Sequence, residues 1–187
     1  MRSRTQWKRS QRGWDPCRLV FVDESAAKTN MTRLYGRSLK GKRLNASAPS
    51  GHWQTTTMIG AVRLDGSTAC MAIEGATNTE VFRAFVSEIL LPELRPDDIL
   101  VMDNLSAHKS EPTLELIRSV GAEVLFLPPY SPDLNPIEKM WSKIKNSLRS
   151  SAARDLSNLI EAIALALNKV SAQDAIGWFG SCGYNII

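Results

Sequence analysis

Short apolar runs alternate with helical repeats along the chain, a pattern typical of an α/β domain. Strand-forming residues are concentrated in runs over 18–22, 56–63, 68–74, 99–102 and 124–127. The second and third runs are separated by Leu64-Asp65-Gly66-Ser67, and an Asp-Gly between two strand patterns is a good hairpin signal. We therefore predict a mixed sheet with helices packed on it.

Four segments have the apolar spacing of a helix. Thr77 and Glu80 have the spacing of a capping box, and the helix after them carries an apolar face of Phe82, Phe85, Val86, Ile89 and Leu90. Two further helices are predicted over roughly 111–120 and 155–170. The helix that begins near Pro136 has one apolar face, so Trp141 is expected in the core together with Ile137, Met140, Ile144 and Leu148.

Three segments lack a sustained period. Residues 1–18 are polar and basic, and we expect an extended or linker segment there. Residues 25–55 predict a long basic loop or irregular hairpin, and a loop of that length in a compact domain is usually functional. Residues 128–136 contain four prolines and predict a rigid loop, which ends with Asn135 at a helix N-cap and Pro136 at the first helical position.

The overall composition fits one globular domain. The chain has 187 residues, of which 43% are hydrophobic and 22% charged, and this excludes wholesale disorder. No apolar stretch is long enough to cross a membrane, and the basic start is not followed by the apolar segment of a signal peptide. Three widely spaced cysteines, none in a CxxC pair, predict free thiols in a reducing cytoplasm: Cys17, Cys70 and Cys182.

Positive charge is concentrated in two parts of the chain. The net charge is +4, and residues 1–18 alone hold six basic residues against one acid. Between Glu24 and Asp65 there is no acid but a second basic block of Lys28, Arg33, Arg37, Lys40, Lys42, Arg43 and Arg63. Such blocks suit a polyanion such as nucleic acid, because each phosphate contact releases counterions. A solvated tail and loop is the alternative interpretation.

Three acids point to chemistry. Asp23 and Asp103 each follow a predicted strand, and the carboxyl ends of neighbouring parallel strands meet at one sheet edge, where ligands of open α/β sheets bind. Glu138 begins the helix after the proline-rich loop and could reach the same crevice. Three carboxylates without histidine pairs or cysteines form an all-oxygen site that suits Mg²⁺ or Mn²⁺ rather than zinc.

Other interpretations of these acids stay open. Asp23 and Asp103 could be ordinary strand-end acids, and Glu138 could be the third-position partner of a capping box begun by Asn135. A phospho-receiver domain also places an acidic pair after its first strand and an Asp after a later one. The predicted hairpin over 56–74 argues against that fold, which would have a βα crossover there.

Three segments of the chain resemble the catalytic domain of bacterial insertion-sequence transposases of the mariner superfamily, which are DDE transposases with a ribonuclease-H-like fold. The matching segments are 19–25, 100–109 and 127–138, and 34 residues separate Asp103 from Glu138, as in this branch. The likeness extends from about Arg18 to Tyr184. It implies a mixed sheet of about five strands flanked by helices, with a basic N-terminal arm over 1–18 and a catalytic domain over 19–187.

The resemblance also implies an activity. Asp23, Asp103 and Glu138 would be the catalytic triad and would bind two Mg²⁺ or Mn²⁺ ions, with Asp23 touching both. The enzyme would cleave phosphodiesters at transposon ends and join the freed 3′-hydroxyl to target DNA, at TA sites. The alternatives are a stand-alone metal-dependent DNA endonuclease and an inactive DNA-binding remnant.

Several further residues are candidates for contacts with double-stranded DNA. Glu138, Ser142, Lys145 and Arg149 share one helical face, so its cations could follow the DNA backbone, although a solvated surface explains them equally well. His108 could orient the scissile phosphate or cap the adjoining helix, and Trp53 could stack on an unpaired base. The remaining candidates are Lys109, Lys40, Lys42 and Arg43.

The start of the chain departs from the family pattern. Complete transposases of this kind carry helix-turn-helix domains upstream of the catalytic domain, and this chain begins only about 20 residues before the first predicted strand. We expect the second product of a split reading frame, or a truncated copy. The expected partners are an upstream or separately encoded helix-turn-helix protein and further copies of the chain on DNA. The expected location is the bacterial cytoplasm, in association with the nucleoid.

Overall fold

The computed structural model describes residues 2–186 and contains one five-stranded mixed sheet. The strands are β1 (Leu19–Lys28), β2 (Thr55–Arg63), β3 (Thr68–Glu74), β4 (Ile99–Met102) and β5 (Glu123–Phe126). Their order across the sheet is β3-β2-β1-β4-β5. β1 pairs antiparallel with β2 and parallel with β4, so it joins an antiparallel half to a parallel half. The predicted fold class and the hairpin are confirmed.

Helices cover both faces of the sheet. They are α1 (Arg2–Ser10), α2 (Thr79–Phe85), α3 (Glu111–Ser119), α4 (Pro136–Ser151), α5 (Leu156–Leu167) and α6 (Ala172–Ser181). Side chains alternate along β1, so Leu19 and Phe21 join the core under α4, α5 and α6. Val20 and Val22 join the other core, under α2 and α3. The result is three layers with the sheet in the middle.

β1 is longer than the sequence predicts. The predicted strand over 18–22 ends before Asp23, whereas β1 continues to Lys28 because β2 pairs with it as far as Lys28 opposite Thr55. Pairing with β4 is much shorter and stops at Phe21 opposite Val101. The prediction that Asp23 ends a strand is therefore wrong. Asp23 lies within β1, just past the part of the strand that pairs with β4.

A close contact between β2 and α4 fixes the position of that helix on the sheet. Trp141 is buried as predicted, and its ring lies over Gly60 of β2. A Cβ atom at Gly60 would be only 2.7 Å from Cη2 of Trp141, so a larger residue would displace the indole. The glycine allows α4, and the acid in its first turn, to approach the sheet closely.

The start of α2 lies one residue later than the capping-box pattern predicts. Asn78, not Thr77, is the N-cap, and its Oδ1 accepts a hydrogen bond from the Val81 N–H at 2.9 Å. The apolar face is buried as expected, but the helix is not uniform. A π-turn at Val86–Leu90 and a 3₁₀ turn at Leu91–Glu93 follow α2 before the chain reaches β4.

The N-terminal segment is helical over Arg2–Ser10, so the expectation of an extended conformation is wrong for this part of residues 1–18. α1 forms because Trp7 becomes buried on one face of it, where its ring packs edge-on against Trp14 at 4.8 Å between centroids. The Trp7 indole N–H also donates to the Tyr184 hydroxyl at 3.2 Å. This partner lies 177 residues away, so the local pattern gives no sign of it.

The sequence interpretation also missed α6. α5 ends at Leu167, before the predicted 170, and a separate helix begins after Ser171. The side chains of Ser171 and Asp174 complete a capping box there, with Ser171 Oγ accepting from the Asp174 N–H at 3.2 Å. This four-residue pattern is visible in the sequence and could have predicted the helix.

The long basic segment has neither helix nor strand over 29–54, as predicted for most of its length. Nearly all its side chains are exposed, including Leu34, Tyr35, Leu39 and Trp53. The three cysteines are free thiols, as expected. Within residues 2–186, no helix is long and apolar enough to cross a membrane.

Candidate active site

Three carboxylates from distant parts of the chain line one cavity at the edge of the sheet. The cavity has a volume of about 540 Å³ and is open to solvent on one side. Asp23, Asp103 and Glu138 all lie in its wall. The rest of the wall is made by Asn104, Leu105, Leu127, Pro128, Pro129, Tyr130, Ser131, Pro132 and Asn135. The structure thus places the three predicted acids around one space.

The fold determines where each acid lies. Asp23 is at an odd position of β1, so it shares the face of Leu19 and Phe21 and lies on the α4 side of the sheet. Asp103 directly follows β4, the parallel neighbour of β1. Glu138 lies in the first turn of α4, which begins with Pro136.

Asp23 is in an environment that disfavours its negative charge. Burial raises the pKa of this carboxyl to about 7, and the charges of Glu138, Glu24 and Asp103 add to the effect. The Glu24 N–H, which donates to Asp23 Oδ1 at 2.8 Å, opposes it only in part. A cation in the cavity would relieve this repulsion.

Asp103 is in the opposite situation, because a buried histidine lies beside it. His108 Nδ1 is 2.7 Å from Asp103 Oδ1, and His108 Nε2 is 3.0 Å from Glu24 Oε1. Burial alone would raise the pKa of Asp103, but His108 and the Leu105 N–H, which donates to Oδ1 at 2.9 Å, hold it below its ordinary value. Burial likewise disfavours a charged His108, yet the two carboxylates raise the pKa of the imidazole to about 9.

The position of His108 corrects both expectations for it. Its side chain is fully buried and packs on Phe82 at 4.3 Å between ring centroids, so it is not part of the exposed surface. It lies in a 3₁₀ turn, and the residue at the N-cap of α3 is Ser110. The histidine supports Asp103 instead of capping a helix or orienting a phosphate.

Asn135 is at the N-cap of α4, as predicted, but its side chain does not cap the helix. The Asn135 amide points at the site, where Nδ2 donates a long hydrogen bond of 3.4 Å to Asp23 Oδ2. Asn135 therefore connects the proline-rich loop directly to β1.

The donor set at this site suits a hard divalent cation. All three side chains offer carboxylate oxygens, the ligands that Mg²⁺ and Mn²⁺ prefer. Among residues 2–186, no three acidic, histidine or cysteine side chains are placed closely enough to bind a single ion together. An arrangement in which each ion is bound by a pair of carboxylates does not require such a cluster.

The predicted DNA-contacting cations have different surroundings. Lys40, Lys42 and Arg43 are exposed in the 29–54 segment. Lys109 is exposed near the cavity, with Nζ 5.5 Å from the centre of the Phe126 ring. On α4, Lys145 and Arg149 are half-buried on the helix that carries Glu138, and Arg149 donates to Asn146 at 3.1 Å. Their contacts with DNA stay predictions.

Two residues of the site were not predicted from sequence. Glu24 directly follows Asp23 in an extended run, so alternation places it on the opposite face, towards α2 and His108. That signal was available. Arg4, which contacts the proline-rich loop from α1, had no local signal, because the contact joins residues more than 120 positions apart.

Fold and site together define the class of protein. A mixed sheet in the order β3-β2-β1-β4-β5, with acids on β1, after β4 and at the start of α4, is the ribonuclease-H-like fold, which this chain shares with solved transposase and integrase structures. The DDE superfamily endonuclease model matches residues 18–160, and the chain belongs to this family. The bacterial insertion-sequence branch stays a prediction.

Solved structures with the same fold include transposases and a retroviral integrase. The Mos1 strand transfer complex has a TM-score of 0.75 at 16% identity, covering 97% of this chain and 56% of that one. The Mos1 mariner paired end complex with Mn gives 0.69 at 14% identity, covering 97% and 57%. The catalytic core domain of BIV integrase gives 0.52 at 15% identity, covering 81% of each chain.

A curated human relative matches over a short stretch. The histone-lysine N-methyltransferase SETMAR is 50% identical over 42 residues, which are 22% of this chain and 6% of SETMAR. The chain thus spans a small part of SETMAR and little more than half of the Mos1 chains.

Proposed function

We propose that the chain is the catalytic part of a DNA transposase, which cleaves phosphodiesters at transposon ends and joins the freed 3′-hydroxyl to target DNA. One observation carries the proposal. Asp23, Asp103 and Glu138, which are far apart in sequence, line a single open cavity. Burial, together with the nearby carboxylates, raises the pKa of Asp23 in this cavity. Membership of the DDE endonuclease family supports it.

Each residue has a distinct part in this proposal. Asp23, Asp103 and Glu138 are the catalytic residues, and they would bind two Mg²⁺ or Mn²⁺ ions, with Asp23 touching both. Bound as a pair, such ions activate the attacking oxygen and stabilise the leaving oxygen of a phosphodiester. The structures of Mos1 complexes with Mn and with Mg support the choice of ion.

The neighbouring side chains keep these acids in place. His108 and the Leu105 N–H occupy Oδ1 of Asp103, which leaves Oδ2 of that carboxylate for the substrate side. Asn135 and the Glu24 N–H hold the two oxygens of Asp23. The cavity thus offers oriented carboxylates before a substrate arrives, which lowers the reorganisation that the reaction requires.

The surface beside the cavity suits double-stranded DNA. Lys109 on one side of Asp103, and Lys145 and Arg149 along α4, would contact phosphates near the cleaved bond, while Lys40, Lys42 and Arg43 would contact DNA farther away. Phosphate contacts carry no sequence information, so TA target choice and end recognition would depend on other elements. We expect the chain to form a homo-oligomer on DNA at the nucleoid and to act together with a helix-turn-helix partner. In this proposal residues 1–18 are an arm attached to the catalytic domain over 19–187.

The test compares Asp103→Asn with Asp97→Asn, a matched change at an exposed aspartate. Both proteins receive labelled transposon-end DNA with Mg²⁺ or Mn²⁺, and cleavage and joining of pre-cut ends are measured separately. Asp103→Asn should lose both activities by at least about 10³-fold, because both use one site. Asp97→Asn should resemble the wild type.

The same assay distinguishes the alternatives. Cleavage without joining of pre-cut ends would identify a nuclease, and binding without either reaction would identify an inactive remnant. Wild-type rates from Asp103→Asn would show that the acid assignment is wrong.

A further inference from the structure

The proline-rich loop, which spans residues 127–135 in the structure, has few backbone groups that can form hydrogen bonds to hold it in place. Pro128, Pro129 and Pro132 have no N–H to donate, so the loop cannot form a regular backbone ladder. Three of its carbonyl oxygens are instead bound by side chains of other elements. Asn104 donates to the Leu127 carbonyl, Arg4 to the Tyr130 carbonyl and Tyr184 to the Leu134 carbonyl.

Arg4 makes the most extensive of these contacts. Its Nη1 donates to the Tyr130 carbonyl at 3.1 Å and to Ser131 Oγ at 2.7 Å. Its Nη2 donates to both carboxylate oxygens of Asp133, at 3.0 and 2.8 Å. A planar guanidinium is rigid, so this one side chain fixes the relative positions of three loop residues.

The helix that carries Arg4 is itself anchored to the domain. Trp7 is buried and donates to the Tyr184 hydroxyl, which in turn donates to the Leu134 carbonyl at 2.8 Å. One turn later, the Gln11 amide donates to the Gly183 carbonyl at 2.8 Å. The proline-rich loop is therefore held at two points, by Arg4 over residues 130–133 and by Tyr184 at Leu134.

The loop needs such support because part of it is strained. Tyr130 has a φ of +53°, in the left-handed region that side chains with a Cβ rarely adopt. Its side chain is 98% exposed, so packing does not hold this conformation. The Arg4 contact to the Tyr130 carbonyl acts directly on the strained residue.

The loop leads directly into the site. Asn135, which contacts Asp23, follows Leu134, and Glu138 follows in the first turn of α4. We propose that Arg4 is a positioning residue that holds the proline-rich loop in the conformation that brings Asn135 and Glu138 to Asp23. The inference rests on the proposed function, since it assigns α1 to the same metal-binding site.

The first measurement is Mn²⁺ binding without DNA, in which the electron paramagnetic resonance signal of free Mn²⁺ is titrated with protein. Arg4→Ala should bind Mn²⁺ about tenfold more weakly, the lower end of what loss of a residue supporting metal ligands costs. Arg9→Ala removes the same charge from an exposed position of α1 and should bind like the wild type. Arg4→Lys retains the charge and should recover part of the affinity.

A second measurement needs no metal. Hydrogen exchange of the peptide that spans the loop should be faster in metal-free Arg4→Ala than in Arg9→Ala, while exchange in β1 and β4 should be unchanged. The Arg4–Asp133 pair is largely exposed, with 34% and 53% of the two side chains accessible, so the melting temperature should hardly change. In cleavage assays, kcat should fall with the KM for DNA unchanged.

Each other outcome contradicts the inference. If Arg4→Ala binds Mn²⁺ and exchanges like Arg9→Ala, the contact does not position the site. If only the KM for DNA rises, Arg4 binds phosphate instead. If only the melting temperature falls, its role is structural alone. Failure of the wild type to bind Mn²⁺ or cut DNA would instead contradict the proposed function.

Discussion

Neighbouring carboxylates at the edge of the sheet have opposite electrostatic environments. On the α4 face, Asp23 lies near Glu138 without a compensating cation, and burial raises its pKa to about 7. Asp103 lines the same cavity, but it shares the imidazole of His108 with Glu24 on the α2 face, and the pKa of Asp103 falls below its ordinary value. The carboxylates around His108 have an internal cation, and Asp23 and Glu138 have a place for an external one. Thermal unfolding of metal-free protein can test this difference.

The largest effect is expected where the internal cation is removed. His108→Gln leaves Glu24 and Asp103 without the buried imidazole that they share, which should lower the melting temperature by about 10 °C near pH 6, since breaking a buried pair costs several kcal/mol. The pKa of His108 is raised to about 9, so its contribution is complete below its unfolded value near 6.5 and is lost as the pH rises through about 9. Melting curves at pH 6 and pH 9.5 should show a smaller difference at the higher pH.

A control for this prediction is His52→Gln, which changes an exposed histidine in the 29–54 segment. It should leave the melting temperature unchanged at both pH values. Equal destabilisation by His108→Gln at pH 6 and pH 9.5 would mean that packing, not charge, is what His108 contributes.

At Asp23, a substitution is expected to raise the melting temperature instead of lowering it. The folded state holds the proton of Asp23 up to about pH 7, whereas the unfolded chain loses it near pH 3.8, so ionisation between these values weakens folding. Asp23→Asn should therefore raise the melting temperature at pH 8 by about 5 °C in EDTA, and the gain should vanish near pH 4. Asp97→Asn should change neither value.

Metal sharpens this second prediction. Mn²⁺ should raise the melting temperature of the wild type but not that of Asp23→Asn, because the variant has lost the carboxylate that we propose as a ligand of both ions. A variant that is destabilised at pH 8 without metal would be incompatible with an uncompensated charge at position 23.

The smallest effect is expected from Glu24→Gln. This change removes one of the two carboxylates on His108 but keeps the side chain's size, and Asp103 still pairs with the imidazole. The melting temperature should fall by about 2–3 °C at pH 7, because His108 loses one carboxylate partner but keeps the other. Glu74→Gln, at the exposed end of β3, is the matched control. A loss as large as that of His108→Gln would place the dominant partner at Glu24 rather than Asp103.

Local patterns predicted the parts of the fold that depend on local physics. The alternation of the hairpin and the apolar face of α4, including Trp141, follow from the periodicity of strand and helix. The meeting of Asp23 and Asp103 followed from one topological rule, that parallel strands bring their carboxyl ends to one edge, and Glu138 was expected there because it begins the helix after the proline-rich loop.

What the sequence did not predict depends on distant contacts. α1 forms around Trp7, whose partner Tyr184 is at the other end of the chain, and β1 extends past Asp23 only because β2 returns alongside it. The role of His108 depends on Glu24, which lies 84 positions earlier. Patterns within a short window contain no information about such pairs.

The alternation of β1 has a consequence for how this segment can change. Asp23 and Glu24 are adjacent in sequence but serve opposite faces of the sheet. Deleting one residue from Leu19–Val22 would move each later residue of the strand to the opposite face, so that Glu24 would take the place of Asp23 in the cavity and Asp23 would take the buried place of Val22. Side chains in this strand can be replaced one at a time, but its length cannot vary by a single residue without dismantling both charge arrangements at once.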